Sequence, residues 1–178
     1  MFYTAAMESQ NPQNSPDASD QPIRKLVEKI RDIKIAMLST KSEDGRLHSR
    51  PMYTQELKED GLIWFFTGKN SRKSAEIGRN PVVNLSYSDP SDDLYVSVSG
   101  RAILTEDPAM VNELWKDALK AWFPQGKEDP NIQLIRIKVE EAEYWDTPDS
   151  KVVQLVGYVK ARLTGEPFHP GENEKLAL

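Results

Sequence analysis

The chain contains no cysteine. Disulfides, thiol nucleophiles, thiolate metal sites and iron–sulfur clusters are therefore excluded. A cysteine-free chain fits a reducing compartment, and the expected location is cytoplasmic. Histidine is almost as scarce, with His48 and His169 the only two. Neither has a partner at metal-ligand spacing, so no metal site is expected. Set on a strand, His48 reads as solvated. No Ser–His–Asp set is identifiable. Basic residues do not predominate: 23 Lys and Arg stand against 28 Asp and Glu, a net charge of −5. That argues against a nucleic-acid surface. No apolar stretch approaches the roughly 18 residues that span a bilayer. Met1 to Gln10 lacks the basic start and apolar block of a secretory signal. No glycine fingerprint of the dinucleotide type occurs.

What is present suffices for one domain. A chain of 178 residues can bury a core without staples. Asn11 to Gln21 is rich in Pro, Ser, Asp and Asn, and residues 1–21 read as a flexible tail. The folded part is expected over residues 22–165, with a polar tail at 166–178.

Pro22 suits the first turn of a helix whose apolar face is Ile23, Leu26, Val27 and Ile30. Ile33 to Thr40 and Arg46 to Gln55 read as a hairpin around Ser42-Glu43-Asp44-Gly45. Glu59-Asp60-Gly61 leads into Leu62 to Thr67, giving a three-stranded meander. Val82 to Ser88 is a strand. Leu94 to Leu104 alternates strictly, with Gly100 marking a bulge or tight bend. Asp107-Pro108 opens a helix on which Val111, Leu114, Trp115, Ala118, Leu119 and Trp122 keep helical spacing up to Pro124. The two tryptophans read as core or interface anchors. Ile132 to Val139 and Glu141 to Asp146 read as two strands, and a last helix is expected from Pro148 or Asp149 to Gly165. Six or seven antiparallel strands with a few helices suggest a small barrel.

The segment Gly61 to Pro81 carries the chemistry. The run Leu62-Ile63-Trp64-Phe65-Phe66-Thr67 is a buried strand. It breaks at Gly68-Lys69-Asn70, and a short helix follows with Asn70 or Ser71 as its N-cap. Arg72 and Lys73 then fall in the first turn, where the helix dipole favours anions over cations. Two cations there make sense around a bound anion, and a phosphate ester fits. The same residues also read as a solvated basic turn, and the pattern alone does not decide. On the second strand, period two places His48, Arg50, Met52 and Thr54 on one face. Pro51 makes this an edge or an interrupted strand with free backbone groups for a planar heterocycle. Its bland counterpart is an edge strand with ordinary surface charges. Trp145 ends a strand, where an aromatic can border a pocket.

Arg50-Pro51-Met52, Phe66-Thr67, Ser71-Arg72-Lys73 and Asn80-Pro81, at these spacings, resemble the FMN-binding split-barrel family of pyridoxamine 5′-phosphate oxidase-like proteins. Val98-Ser99-Gly100-Arg101-Ala102 resembles that family's long central strand. Ala142 to Asp146 and Gly171 to Lys175 resemble its bacterial general stress protein branch. The resemblance implies a six-stranded antiparallel Greek-key split β-barrel and a homodimer with FMN at the subunit interface; FAD and deazaflavin remain open. By position it implies Ser71, Arg72 and Lys73 on the phosphate, and Phe66 and Thr67 on the ribityl chain or phosphate. It implies Ser49, Arg50, Pro51 and Met52 at the isoalloxazine edge, and Trp145 bordering the ring. Two departures count against vitamin B6 oxidation: the end, Glu172 to Leu178, lacks the oxidases' arginine-rich segment, and tyrosine stands at Tyr95 where they have glutamine nearby. The expected function is an FMN-dependent oxidoreductase on an unidentified small molecule. A non-catalytic flavin-binding stress protein or carrier is the alternative, and pyridoxamine 5′-phosphate oxidase activity a weaker one.

Overall fold

Eight strands lie in one antiparallel sheet of a computed structural model that describes residues 21–57, 60–146 and 172–177. The six longer strands are β1 (Ile35–Lys41), β2 (Leu47–Tyr53), β4 (Leu62–Gly68), β5 (Val82–Asp89), β6 (Leu94–Thr105) and β7 (Ile132–Asp146). Two short ones are added, β3 (Glu56–Leu57) and β8 (Glu172–Ala177). The lateral order is β2-β1-β5-β6-β7-β4-β3, with β8 beside β7. The sheet curls so that the chain leaving β2 meets β4 again: the Gln55 N–H donates to the Trp64 carbonyl at 2.9 Å.

Alternation along the strands fills the barrel. Ala36 and Leu38, Val83, Leu85 and Tyr87, and Val96 and Val98 point inward and are buried. Helix α1 (Gln21–Ile30) closes one end with Leu26 and Ile30, two of the four residues of the expected face. It is tied to β8 by Lys25 on Glu174 at 2.7 Å, and to the end of β7 by Lys29 on Asp146.

β4 is buried on both faces. Ile63 and Phe65 face the barrel, while Trp64 and Phe66 belong to a second apolar layer with Val111, Leu114, Leu119 and Phe123. This overturns the expected meander. β4 pairs with β7, Phe66 opposite Leu134, and among the described residues its neighbour on the other side is β3. A strand apolar on both sides needs two layers, which a hairpin edge does not provide.

Helix α3 (Pro108–Leu114) starts as expected, with Asp107 Oδ1 accepting from the Ala109 N–H at 2.9 Å. It ends eight residues before Trp122: Trp115 is extended (ψ 134°), and a 3-10 turn follows over Asp117–Ala121. Packing on β4 overrides the helical period. Trp115 lies edge-on to Phe66 at 6.0 Å, and Phe123 sits 6.1 Å from the same ring. Trp122, read as an anchor, is turned out and 72 % exposed.

Residues 132–146 form one strand rather than two. The register shift falls between Ser99 and Gly100, which leaves Glu140 as the extra residue of a bulge. A Cβ on Gly100 would stand 2.3 Å from the Lys138 carbonyl oxygen, so the position requires glycine. The expected polar tail contains β8, whose Leu176 enters the core. Two adjacent apolar residues in six, Leu176 and Ala177, show no alternation that would announce a strand. The expected N-terminal tail and last helix lie outside the described residues.

Candidate functional site

A cavity of about 490 Å³ opens between the end of β2, the end of β4, the start of helix α2 (Arg72–Arg79) and the segment after α3. That size suits a small-molecule site. Its walls are mostly apolar and aromatic, with Met52, Phe66, Leu119 and Phe123 among them. Pro51, Tyr53 and Gln55 come from β2 and the residues after it. Thr67, Gly68, Lys73 and Asn131 make a polar end, and Lys116 and Trp122 stand on the wall after α3.

The polar end is built by the turn into α2. Ser71 is the N-cap: its hydroxyl accepts from the Ser74 N–H at 3.2 Å and lies 3.1 Å from the Thr67 hydroxyl. The Ser74 hydroxyl donates to the Gly68 carbonyl. Lys73 is partly buried and, among the described residues, has no hydrogen-bond or ion-pair partner. Burial, and secondarily the nearby Arg50 guanidinium, push its ammonium below the ordinary lysine range.

His48, Arg50 and Arg72 are engaged elsewhere, while Lys116 stands 6.0 Å over the Tyr53 ring. Glu76, 3 % exposed, is the hub of a buried cluster. Its Oε1 accepts from His48 Nδ1 at 2.8 Å and Arg72 Nε at 3.0 Å. Its Oε2 accepts from Thr40 Oγ1 at 2.5 Å and Arg50 Nη2 at 2.9 Å. Arg50 Nη1 also donates to Thr40 Oγ1 and to the Leu38 carbonyl. Burial alone would raise the Glu76 carboxyl, but the hydrogen bonds from Thr40, His48 and Arg50 outweigh it and bring it to about 2. His48 is thus a partner in an ionic cluster rather than a solvated side chain.

The structure therefore divides the expected site residues. Pro51, Met52, Phe66, Thr67 and Lys73 meet in the cavity. Ser71 stands behind its polar end as the helix cap. Ser49 does not line the cavity; its hydroxyl lies 2.6 Å from Ser39 Oγ on the neighbouring strand. Arg50 points to Glu76, and Arg72 lines a separate hollow with Ser42, Asp44 and Arg79. Trp145 pairs with Tyr95 and Asn173, at the end of β7 opposite the residues that flank Thr67 and Gly68. The sequence reading missed Lys116 and the role of Trp122, because the continuous helical spacing hid the turn that carries them to the cavity.

Residues 21–169 match the model of the family described as pyridoxamine 5′-phosphate oxidase like. The chain belongs to that family. General stress protein 26 of Bacillus subtilis is 31% identical over 136 residues, covering 74% of this chain and 94% of the relative. Among solved structures, the general stress FMN/FAD binding protein of Xanthomonas citri is 34% identical with a TM-score of 0.64, over 74% of this chain and 93% of that one. General stress protein 26 of Bacillus anthracis is 31% identical with a TM-score of 0.61, over 68% and 92%. The open antiparallel sheet is accordingly the split barrel expected from the sequence, its six main strands extended by β3 and β8. Among the described residues, no helix is long and apolar enough to cross a membrane.

Proposed function

We propose that the chain is a flavoprotein of the general stress protein type that binds FMN in the 490 Å³ cavity and acts as an oxidoreductase on a small molecule. The observation that carries this reading is Lys73. An ammonium held partly out of water at a helix start, with no carboxylate beside it, is completed by a ligand anion. The Thr67 and Ser71 hydroxyls stand next to it, and the aromatic walls beyond suit a planar ring. Pro51 and Met52, on an edge strand, offer backbone groups to that ring.

The site also has a place for a second copy of the chain. The outer face of β2, β1, β5 and β6 carries exposed Tyr53, Ile35, Met37 and Tyr95 with Ser86 and Ser97 between them, and Trp145 continues it on β7. Such a weakly charged apolar face suits an isologous pairing. Within one protomer Trp145 lies away from the cavity, so its expected place beside the ring belongs to a homodimer.

A bound flavin supplies hydride and electron transfer itself, so the chain need not provide a general base. The protein's part is to bind, orient and exclude water. The test is an absorption spectrum of the purified protein followed by titration with FMN and riboflavin. Flavin bands, with FMN bound more tightly than riboflavin, support the reading. Equal binding removes Lys73 from the phosphate, and binding of neither removes the flavin. Bleaching of the bound flavin by NADH or NADPH separates the oxidoreductase from an idle carrier.

A further inference from the structure

We propose that Glu76 is the positioning residue of the cavity's anion end: it holds Arg50 on the far side of the wall and sets α2 so that Lys73 faces the ligand's phosphate. The inference rests on the flavin reading above.

Three features of the geometry support it. Glu76 joins the two elements that build opposite sides of the cavity. Its helix carries Lys73 beside the Ser71 cap, and its partners His48 and Arg50 sit on β2, which carries Pro51 and Met52. Next, three of the five Arg50 donors are already taken: Nη1 by Thr40 and the Leu38 carbonyl, and Nη2 by Glu76, which turns the guanidinium toward the acid. Finally, Arg50 is close enough to Lys73 to work against its charge, and Glu76 is the acid that compensates the guanidinium.

The surrounding charges set what a change at Glu76 would do. His48 and Arg50 face it from β2, Arg72 and Arg79 share its helix, and Glu43 and Asp44 approach from the β1–β2 turn. Arg79 is itself paired with Glu43 at 3.0 Å. Thr40, from β1, adds a hydroxyl and no charge. Removing the Glu76 charge leaves Arg50 uncompensated beside Lys73, which then gives up its proton more readily.

The experiment titrates FMN and riboflavin into wild type, Glu76→Gln, Arg50→Gln and the double variant between pH 6 and pH 10. The preference for FMN reports the cations that face the phosphate, because the two ligands differ only in that group: Lys73 at the polar end and Lys116 on the wall after α3. Above about pH 7 the phosphate is fully ionised, and the shift between variants isolates Lys73, since Glu76 and Arg50 act on it from its own helix and from β2. In Glu76→Gln this preference is expected to fall at lower pH than in wild type, by about tenfold at the alkaline end. Adding Arg50→Gln should restore it. Arg50→Gln alone should carry the preference to higher pH, a readout available even if Glu76→Gln does not fold. A merely structural Glu76 predicts equal weakening of both ligands with an unmoved pH limb, which overturns the proposal. Wild type binding neither ligand brings down the flavin reading, and this inference with it.

Discussion

Replacing Glu76 by glutamine should destabilise the protein in a way that disappears in acid. Glutamine keeps the shape of a protonated glutamate and removes the charge. A carboxyl lowered from 4.5 to about 2 on folding contributes about 3 kcal/mol of stability at neutral pH. The side chain is only 4% exposed, so solvent screening takes little from this figure. The sign follows from the depressed value. The contribution is complete above pH 4.5, the unfolded value, and is lost as pH falls through about 2. In a chain of this size it corresponds to a melting temperature lower by about 6–12 °C at pH 7. The assay is thermal unfolding by circular dichroism of both proteins at pH 7, 4 and 2.5. The gap should be widest at pH 7 and should have closed substantially at pH 2.5. A gap of the same size at all three would refute the electrostatic reasoning and leave packing as the cause.

Other outcomes can be checked independently. Lys73→Ala should weaken FMN by about tenfold to a hundredfold, the worth of one charge-assisted contact, and leave riboflavin unchanged. Arg72→Ala should weaken FMN less, since that guanidinium lies on Glu76 and away from the cavity; isothermal titration would show the reverse order if Arg72 were the main phosphate ligand. Gly100→Ala drives a Cβ to 2.3 Å from the Lys138 carbonyl and should cost about 1–3 kcal/mol or more, seen as an earlier denaturation midpoint. Trp122→Ala should change stability by less than about 0.5 kcal/mol, because the ring is 72% exposed, yet alter ligand affinity. An unfolding curve shifted well beyond that would show that Trp122 packs after all.

How much could be read beforehand depended on whether the signal was local. The hairpin of β1 and β2, the irregularity at Gly100, a helix cap at Asn70 or Ser71 and the Asp107-Pro108 start were legible because a few neighbouring residues determine each. The partner of β4 was not. Its apolar run declared burial, but which strands lie beside it depends on residues more than sixty positions away. The helix expected to reach Trp122 failed for a related reason: Phe66 draws in Trp115 and Phe123, and no helix presents both to one ring. In the site, Lys73 was legible from the turn into α2, and Phe66 and Thr67 from the family resemblance. The occupation of Arg50 and Arg72 was not, since it depends on Glu76, which no local motif singles out.

The position of β4 between two apolar layers also bears on how a ligand enters. Opening this wall would expose both layers together, so the amides of β4 should exchange with solvent only on global unfolding. The facing wall, residues 115–123, is held by short 3-10 turns and a few backbone bonds. A ligand in the cavity is therefore expected to enter and leave past that wall, with β4 as a stationary floor. Changes along residues 115–123 should alter residence time, whereas changes in β4 should alter the depth of the equilibrium well.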